Sequence, residues 1–251
     1  MSEFSGKVAF VTGGGSGIGE ASALLFAERG AALAVVDVDV AAAQRVAGKI
    51  EATGGQALAV AANVAQASQV QAAVAQAVSR FGRLDALLNS AGISPQYAAV
   101  GDYPLEEWDR TLAINLSGTF YGMKYAIPEM LRHDGGAVVN ISSIMGQVAS
   151  PGGLAYCATK HGVIGLTKAA ALDYASRSVR VNAIGPGVVE TPMTAAAINT
   201  AEVRQGLLAC TPLKRFAQAR EIAELIVFLC SERASFITGA YYPIDGGYLA
   251  M

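Results

Sequence analysis

Residues 8–19 read Val-Ala-Phe-Val-Thr-Gly-Gly-Gly-Ser-Gly-Ile-Gly, and the rest of the chain is organised around this stretch. Its first four residues are apolar, which is typical of a parallel strand that is buried on both faces. Glycines interrupt the run, and residues 20–29 resume with helical spacing. A strand, a glycine turn and a helix start bring free backbone N–H groups and the positive end of a helix dipole together, which favours binding of a pyrophosphate.

The glycines follow the spacing G-x-x-x-G-x-G, carried by Gly13, Gly17 and Gly19. A flexible loop is the simpler interpretation of such a turn taken alone. The next apolar segment, residues 32–36, ends in Asp37, whose carboxylate can accept hydrogen bonds from both hydroxyls of a ribose. The two features together favour a dinucleotide site over a flexible loop.

Composition excludes several classes of protein. The chain has 251 residues, 53% of them hydrophobic and 15% charged, with a net charge of −2. This length suits one large α/β domain, and the charge supports neither a nucleic-acid nor a membrane partner. No apolar run is long enough to span a bilayer, and the first seven residues lack a signal-peptide pattern. The scattered Cys157, Cys210 and Cys230 have no metal-ligand spacing, so we predict no metal site and a reduced, cytoplasmic setting.

Short apolar strands alternate with helical segments along the chain. This alternation predicts an α/β fold, a single-domain doubly wound (Rossmann) parallel sheet of about seven strands with helices on both faces. Residues 1–251 form this one domain, and residues 191–211, between two prolines, are predicted to form a substrate lid within it. Predicted strands cover residues 8–11, 32–36, 56–62, 84–88, 137–141, 179–184 and 240–244, and predicted helices cover 20–29, 40–53, 68–81, 105–131, 155–176 and 220–231.

Tyr156 and Lys160 are four residues apart on a predicted helix and therefore adjacent on one face. A phenol with its ordinary pKa near 10 exchanges protons poorly at neutral pH, and a neighbouring ammonium favours the phenolate. The Y-x-x-x-K pattern alone is common and is more often an exposed pair. Here it follows a strand that ends in Ser142-Ser143, and strand ends in such a sheet converge on the ligand crevice. We therefore predict proton transfer at Tyr156.

Taken together, the motifs resemble those of short-chain dehydrogenases/reductases over essentially the whole chain. They are residues 12–19, Asn89-Ser90-Ala91-Gly92, Asn115, Ser143, Tyr156 with Lys160, Pro186-Gly187 with Thr191, and Asp245-Gly246-Gly247. The resemblance implies an NAD-dependent enzyme that acts on CH–OH groups. It implies that Tyr156 is the general acid/base, that Ser143 holds the substrate oxygen, that Lys160 binds the nicotinamide ribose and lowers the pKa of the phenol, and that Asn115 anchors a water of the proton relay. Apart from the resemblance, Asn115 could mark a local kink and Ser143 a strand end.

The resemblance also implies the cofactor contacts. Asn89 has an alternative role in tying neighbouring strands together, and Thr191 could cap a helix that begins at Pro192. A 2′-phosphate beside Asp37 is repelled, and Ser16 and Val38 stand where family members that prefer NADP usually carry a basic residue, so the predicted cofactor is NAD. The expected contacts are Gly13, Ser16, Gly17, Ile18, Gly19, Asp37, Val38, Asn63, Val64, Asn89, Ala91, Gly92, Tyr156, Lys160, Pro186, Gly187, Val189 and Thr191.

The expected substrate residues are mixed but mostly apolar, with no Arg or Lys to bind a carboxylate or phosphate. They favour a neutral secondary alcohol or ketone as the small-molecule partner. A catalytically silent NAD-binding scaffold or sensor is the alternative, although such a protein has no need for Ser143, Tyr156 and Lys160 together. The expected substrate residues are Ser94, Gln96, Met145, Gln147, Leu154, Val188 and Met193.

Small and apolar residues occupy outward positions on the predicted helix 155–176, among them Ala169, Ala170, Leu172 and Ala175. In the family, this helix and the predicted helix 105–131 pair in a four-helix interface, and the last strand often pairs with its symmetry mate. We therefore expect a homotetramer, with a dimer as the second choice.

Overall fold

The central sheet has seven parallel strands in a computed structural model that describes residues 2–94 and 96–251. In chain order the strands are β1 (Val8–Thr12), β2 (Ala32–Asp37), β3 (Ala57–Ala61), β4 (Ala86–Asn89), β5 (Gly136–Ile141), β6 (Val179–Pro186), β7 (Val189–Glu190), β8 (Ala217–Gln218) and β9 (Tyr241–Ile244). The order across the sheet is β3-β2-β1-β4-β5-β6-β9, and β7 pairs with β8 outside it. The predicted doubly wound parallel sheet is confirmed.

Helices cover both faces of the sheet because successive residues of a strand point to opposite faces. In β1, Ala9 and Val11 belong to one hydrophobic cluster, and Val8 and Phe10 belong to the other. The first cluster includes residues of α1, α2 and α9, and the second includes residues of α3, α5 and α6. Within the described residues, the α-helices are α1 (Gly17–Glu28), α2 (Val40–Ala52), α3 (Ala67–Phe81), α4 (Leu105–Thr111), α5 (Gly118–Met130), α6 (Leu154–Tyr174), α7 (Pro192–Ile198), α8 (Ala201–Ala209) and α9 (Ala219–Cys230).

The prediction of one continuous helix over residues 105–131 is wrong in the middle of this range. Leu112–Ser117 is π-helical and separates α4 from α5. Within this π-helical segment, the side chain of buried Asn115 binds the backbone of Ile93 in the loop after β4. Its Oδ1 accepts from the N–H of Ile93 at 2.8 Å, and its Nδ2 donates to the carbonyl of Ile93 at 3.0 Å. A π-helical turn inserts one residue into a helix and often marks a functional site. The other predicted helices and strands lie within three residues of the observed ones.

The segment predicted as a lid contains two short helices, α7 and α8. Most of α8 is exposed, and only Leu207 and Leu208 are partly buried. The segment returns to the sheet at Thr211, which is buried. In the described ranges, no helix is long and apolar enough to cross a membrane.

Candidate active site

A cavity of about 490 Å³ lies at the carboxyl ends of the strands. It is lined by residues from the loops after β1 and β4, where the strand order reverses from β3-β2-β1 to β4-β5-β6. Ligands of open α/β sheets bind at this reversal, because the two loops diverge to opposite faces and leave a crevice. The cavity is therefore where the topology alone would place a ligand.

The glycine turn forms one wall of the cavity. Gly13 has a φ of 63°, and a Cβ there would lie 2.8 Å from the backbone of Ala91. A Cβ at Gly19 would collide with the carbonyl oxygen of Gly13. Ser16 makes no side-chain hydrogen bond to the start of α1, so this residue does not occupy the first N–H groups of the helix. This bare, close-fitting backbone fits the pyrophosphate of a dinucleotide.

Asp37 stands at the end of β2 with its carboxylate held toward the turn. Oδ2 accepts from the N–H of Gly15 at 2.9 Å and Oδ1 accepts from the N–H of Asp39 at 3.0 Å. Asp39 itself caps α2, because its carboxylate accepts from Ala41 and Ala42. Asp37 and its exposed neighbour Val38 both line the cavity, so Asp37 brings a negative charge to this end of it.

Lys160 is buried beneath the cavity, with only 5% of its surface exposed. Its ammonium donates to the carbonyl of Ile141 at 2.9 Å, and the hydroxyl of Ser142 donates to the carbonyl of Lys160 at 2.8 Å. Burial lowers the pKa of Lys160 to about 8, since an apolar surrounding disfavours the charged form. Hydrogen bonds from the end of β5 therefore hold Lys160 at the cavity, and its lowered pKa lets it lose a proton near pH 8.

Tyr156 lies one helical turn before Lys160 and lines the cavity together with Ser143. Burial raises the pKa of Tyr156 to about 12, and a hydrogen bond with the Ser143 side chain opposes the rise. Nζ of Lys160 is 5.4 Å from the centre of the tyrosine ring. In the chain itself, loss of water around the phenol sets the direction of the shift, so the pKa of Tyr156 is raised.

Asn115 is brought to the same region, although it does not line the cavity. A Cβ at Gly92 would lie 3.3 Å from Oδ1 of Asn115 and 3.9 Å from Nζ of Lys160. The carbonyl of Asn115 accepts a hydrogen bond from the hydroxyl of Thr119 at 3.0 Å. The structure thus places Asn115 behind Gly92, where its side chain fixes the loop at Ile93.

Two of the predicted cofactor contacts lie outside the cavity lining. Gly19 is buried behind the turn, where its missing side chain permits the close approach to Gly13. Asn89 is also buried, and its Nδ2 donates to Oδ1 of Asn140 at 2.8 Å and to the carbonyl of Thr119 at 3.3 Å. Asn89 stays a predicted cofactor contact, and its amide also links β4 to β5. The predicted contacts that do line the cavity are Gly13, Ser16, Gly17, Ile18, Asp37, Val38, Asn63, Val64, Ala91, Gly92, Tyr156, Lys160, Pro186, Gly187, Val189 and Thr191.

Most of the predicted substrate residues also lie outside this cavity. Met193 of α7 lines it, whereas Val188 lines a separate cavity of about 100 Å³. The other five stay predictions: the side chains of Ser94, Gln96 and Gln147 are exposed, and those of Met145 and Leu154 are partly buried.

Arg110 and Tyr97 are among the residues near the site that the sequence analysis missed. Arg110 of α4 lines the cavity and lies 3.3 Å from the carboxylate of Glu107, so the cavity has a cationic side chain besides Lys160. Tyr97 packs beside the start of α6, since a Cβ at Gly153 would lie 3.4 Å from its ring. A β-bridge between Ala98 and Gly153 holds this loop against the helix that carries Tyr156. Neither residue belongs to a local sequence pattern, so proximity in the fold is the only signal for them.

The chain matches a family model described as enoyl-(acyl carrier protein) reductase over residues 13–249. Among curated proteins, it is 43% identical to cyclohexanol dehydrogenase of Acinetobacter sp. (strain SE19), over 98% of this chain and 96% of that protein. It is 41% identical to cis-4-hydroxycyclohexanecarboxylate dehydrogenase of Sinomonas cyclohexanicum, over 99% of this chain and 98% of that protein.

Solved structures share the fold over nearly the full length. A short-chain type dehydrogenase/reductase from Mycobacterium marinum superposes with a TM-score of 0.94 at 33% identity, covering 99% of this chain and 98% of that one. A 3-ketoacyl-(acyl-carrier-protein) reductase from Brucella melitensis, complexed with NADH, superposes with a TM-score of 0.90 at 36% identity, covering 98% of this chain and 99% of that one.

Proposed function

This chain belongs to the short-chain dehydrogenase/reductase family, and we propose that it is an NAD(H)-dependent oxidoreductase that interconverts a neutral secondary alcohol and a ketone. The observation that carries this proposal is that Ser143, Tyr156 and Lys160 line the same cavity as the glycine turn. The glycine turn and Asp37 would hold the dinucleotide, and Lys160 would bind the nicotinamide ribose. When bound, NAD⁺ supplies the hydride acceptor and one positive charge.

The side chains divide the proton chemistry between them. Tyr156 accepts the hydroxyl proton of the alcohol at its phenolic oxygen, and the Ser143 hydroxyl holds the substrate oxygen. With a pKa of about 12, the phenol needs nearby positive charge to ionise near neutral pH. The Lys160 ammonium is placed to contribute that charge, and with a pKa of about 8 it can also pass a proton on.

NAD is favoured over NADP by the charges around Asp37. The nearest cationic side chain on α2, Arg45, is held by Glu20 at 2.6 Å and also donates to the carbonyl of Gly15 at 2.6 Å. Glu20 also binds Lys49 at 2.8 Å. These ion pairs support the proposal, because they occupy the cations that would otherwise neutralise a 2′-phosphate.

We propose a ring-bearing secondary alcohol as the substrate class. The names of the two curated relatives describe dehydrogenases of hydroxylated cyclohexane rings. Tyr97 beside the start of α6 and the half-exposed Met193 offer apolar surface of the kind that packs on an alicyclic ring. The alternative of a silent NAD-binding scaffold is less favoured, because a buried ammonium destabilises a protein that makes no use of it.

The proposed activity is tested by mixing the purified protein with NAD and following NADH absorbance. Cyclohexanol, cis-4-hydroxycyclohexanecarboxylate and a straight-chain secondary alcohol of equal carbon number form the panel. We expect the neutral ring alcohol to be oxidised fastest. Tight NAD binding with no turnover of any alcohol or ketone would instead establish the scaffold.

For the assembly we propose a homotetramer, with a dimer as the second choice. Exposed apolar residues on the outer helices support this proposal, with Leu172 of α6 84% exposed and Phe120 of α5 43% exposed. Light scattering measures the mass, and the mass of one chain would overturn the proposal of a tetramer or dimer.

The three cysteines are free, which supports the proposed reducing, cytoplasmic setting.

A further inference from the structure

Tyr241, the first residue of β9, reaches a backbone atom of Ser143. Its phenolic hydroxyl donates a hydrogen bond to the Ser143 carbonyl at 2.8 Å, although the two residues are 98 positions apart in the chain. Ser143 lies just beyond the end of β5, and β6 separates β5 from β9 in the sheet. The tyrosine side chain therefore spans the width of one strand to make this contact.

The space for the Tyr241 ring depends on a glycine. Gly185 lies in β6, and a Cβ at this position would collide with the Tyr241 hydroxyl oxygen. Any larger residue at position 185 would displace either the ring or the strand. The packing of β6 thus leaves a path from β9 to Ser143 that a phenol fills.

Ser143 accepts hydrogen bonds within its own turn and one from Tyr241, which comes from a distant part of the chain. Its Oγ accepts from the N–H of Met145 at 3.1 Å, and its carbonyl accepts from the N–H of Gly146 at 2.9 Å. Both local bonds lie within one short turn, so they can move together with it. Because Oγ accepts from Met145, its own proton remains for donation, to the Tyr156 oxygen or to a substrate oxygen.

The Tyr241 hydroxyl stays protonated over the working range of an enzyme. Burial, with a smaller contribution from the charge of Asp245, raises the pKa of Tyr241 to about 12. A group with that pKa remains a hydrogen-bond donor at neutral and mildly alkaline pH. Its bond to the carbonyl is therefore constant while the proton chemistry at Tyr156 proceeds.

We propose that Tyr241 is a positioning residue that fixes the Ser143 turn against the sheet and so aims the Ser143 hydroxyl at the substrate oxygen. This role rests on the proposed dehydrogenase function. Misplacing a catalytic group by about 1 Å commonly costs up to about a hundredfold in rate, so the loss of one anchoring bond is expected to cost about tenfold.

Tyr241→Phe removes the hydroxyl and keeps the ring. We expect kcat for the alcohol to fall about tenfold, with the affinity for NAD unchanged, since Tyr241 does not line the cavity wall that would hold the dinucleotide. Tyr242→Phe is the matched control, because it removes the same hydroxyl from the next residue of β9, which packs against the core cluster. The control is expected to keep the kcat of the unmodified enzyme.

A double-mutant cycle separates positioning from general stability. In a Ser143→Ala background, Tyr241→Phe is expected to have no further effect on kcat, because the group that it positions is gone. Equal losses in both backgrounds, or an unchanged kcat for Tyr241→Phe in the otherwise unmodified enzyme, would overturn the proposal.

Hydrogen exchange tests the same link without any turnover. We expect the amides of residues 143–147 to exchange faster in Tyr241→Phe than in Tyr242→Phe. Unchanged exchange across these residues would contradict the anchoring role. If the unmodified protein oxidises no alcohol, the proposed function fails, whereas the exchange result still decides whether Tyr241 anchors Ser143.

Discussion

Nζ of Lys160 lies 5.4 Å from the centre of the Tyr156 ring, and burial acts on both side chains. It lowers the pKa of Lys160 to about 8 and raises the pKa of Tyr156 to about 12. Each group is thus shifted toward its neutral form, since both have lost water. Added positive charge at the cavity would favour the phenolate of Tyr156, which is the form that accepts a proton from an alcohol.

Tyr156→Phe is expected to lower kcat by about a thousandfold, because it removes the proton acceptor of the reaction. The affinity for NAD should change by less than about threefold, since the phenol serves mainly the chemical step. Steady-state kinetics and NAD titration measure the two effects. Tyr174→Phe, on the same helix, is the control and should keep full activity. A Tyr156→Phe enzyme as active as the unmodified one would refute proton transfer at Tyr156.

Lys160→Met is expected to stabilise the protein at pH 7 while abolishing turnover. The lowering of the lysine pKa from 10.5 to about 8 corresponds to a cost of about 3 kcal/mol for burying the charged form. Below pH 8 the lysine is charged in both the folded and the unfolded states, so the whole cost is present. As the pH rises from 8 to 10.5, the folded protein loses the proton first, and the cost disappears.

Urea unfolding at pH 7 and pH 10 tests this expectation. The gain in unfolding free energy of Lys160→Met should be large at pH 7 and small at pH 10. Lys168→Met, at an exposed position on the same helix, should change stability by less than about 0.5 kcal/mol at either pH. An equal gain at both pH values would refute the assignment of the effect to the buried charge.

Asp37→Asn combined with Val38→Arg is expected to shift the cofactor preference toward NADP by at least about tenfold. The asparagine keeps an oxygen for the N–H of Gly15 but removes the charge that repels a 2′-phosphate, and the arginine adds an opposite charge. The ratio of kcat/KM for NAD to that for NADP is the measurement. Equal turnover of NADH and NADPH by the unmodified enzyme would refute the role of Asp37.

Gly19→Ala is expected to abolish NAD binding, because its Cβ would collide with the carbonyl oxygen of Gly13 and deform the turn. Gly48→Ala is the matched control on α2, where a Cβ meets nothing within 4 Å. That control should bind NAD normally and gain up to about 1 kcal/mol of stability, since alanine favours the helix. Normal NAD binding by Gly19→Ala would show that this glycine does not shape the site.

Residues 191–210 are expected to close over the site when ligands bind. The exposed α8 has few buried contacts to hold it, whereas Met193 already lines the cavity and can contact a bound substrate. Hydrogen exchange across α7 and α8 should slow on addition of NAD and a non-reactive ring alcohol analogue. The same exchange with and without ligands would mean a lid that stays in one position.

Local patterns were sufficient for the seven strands of the central sheet, for the long helices other than 105–131, and for the glycine turn. A strand or helix is set by the periodicity of neighbouring residues, and Gly13, Asp37, Tyr156 and Lys160 each stand at a position defined by such an element. Their meeting at one cavity follows from the parallel order of the strands, which the alternation of elements predicted. The π-helical turn was not predicted beyond a kink at Asn115, whose contact with Ile93 joins residues 22 positions apart.

By itself, the sequence determined the doubly wound fold and the set of residues at the strand ends, since both depend on spacing along the chain. Only the tertiary structure decided that Asn89 joins two strands, that burial raises the pKa of Tyr156 to about 12, and that Tyr241 holds Ser143. Contacts between distant residues and the loss of water around a side chain arise when the chain is packed. Neither the contacts nor the loss of water can be predicted from the spacing of residues along the sequence.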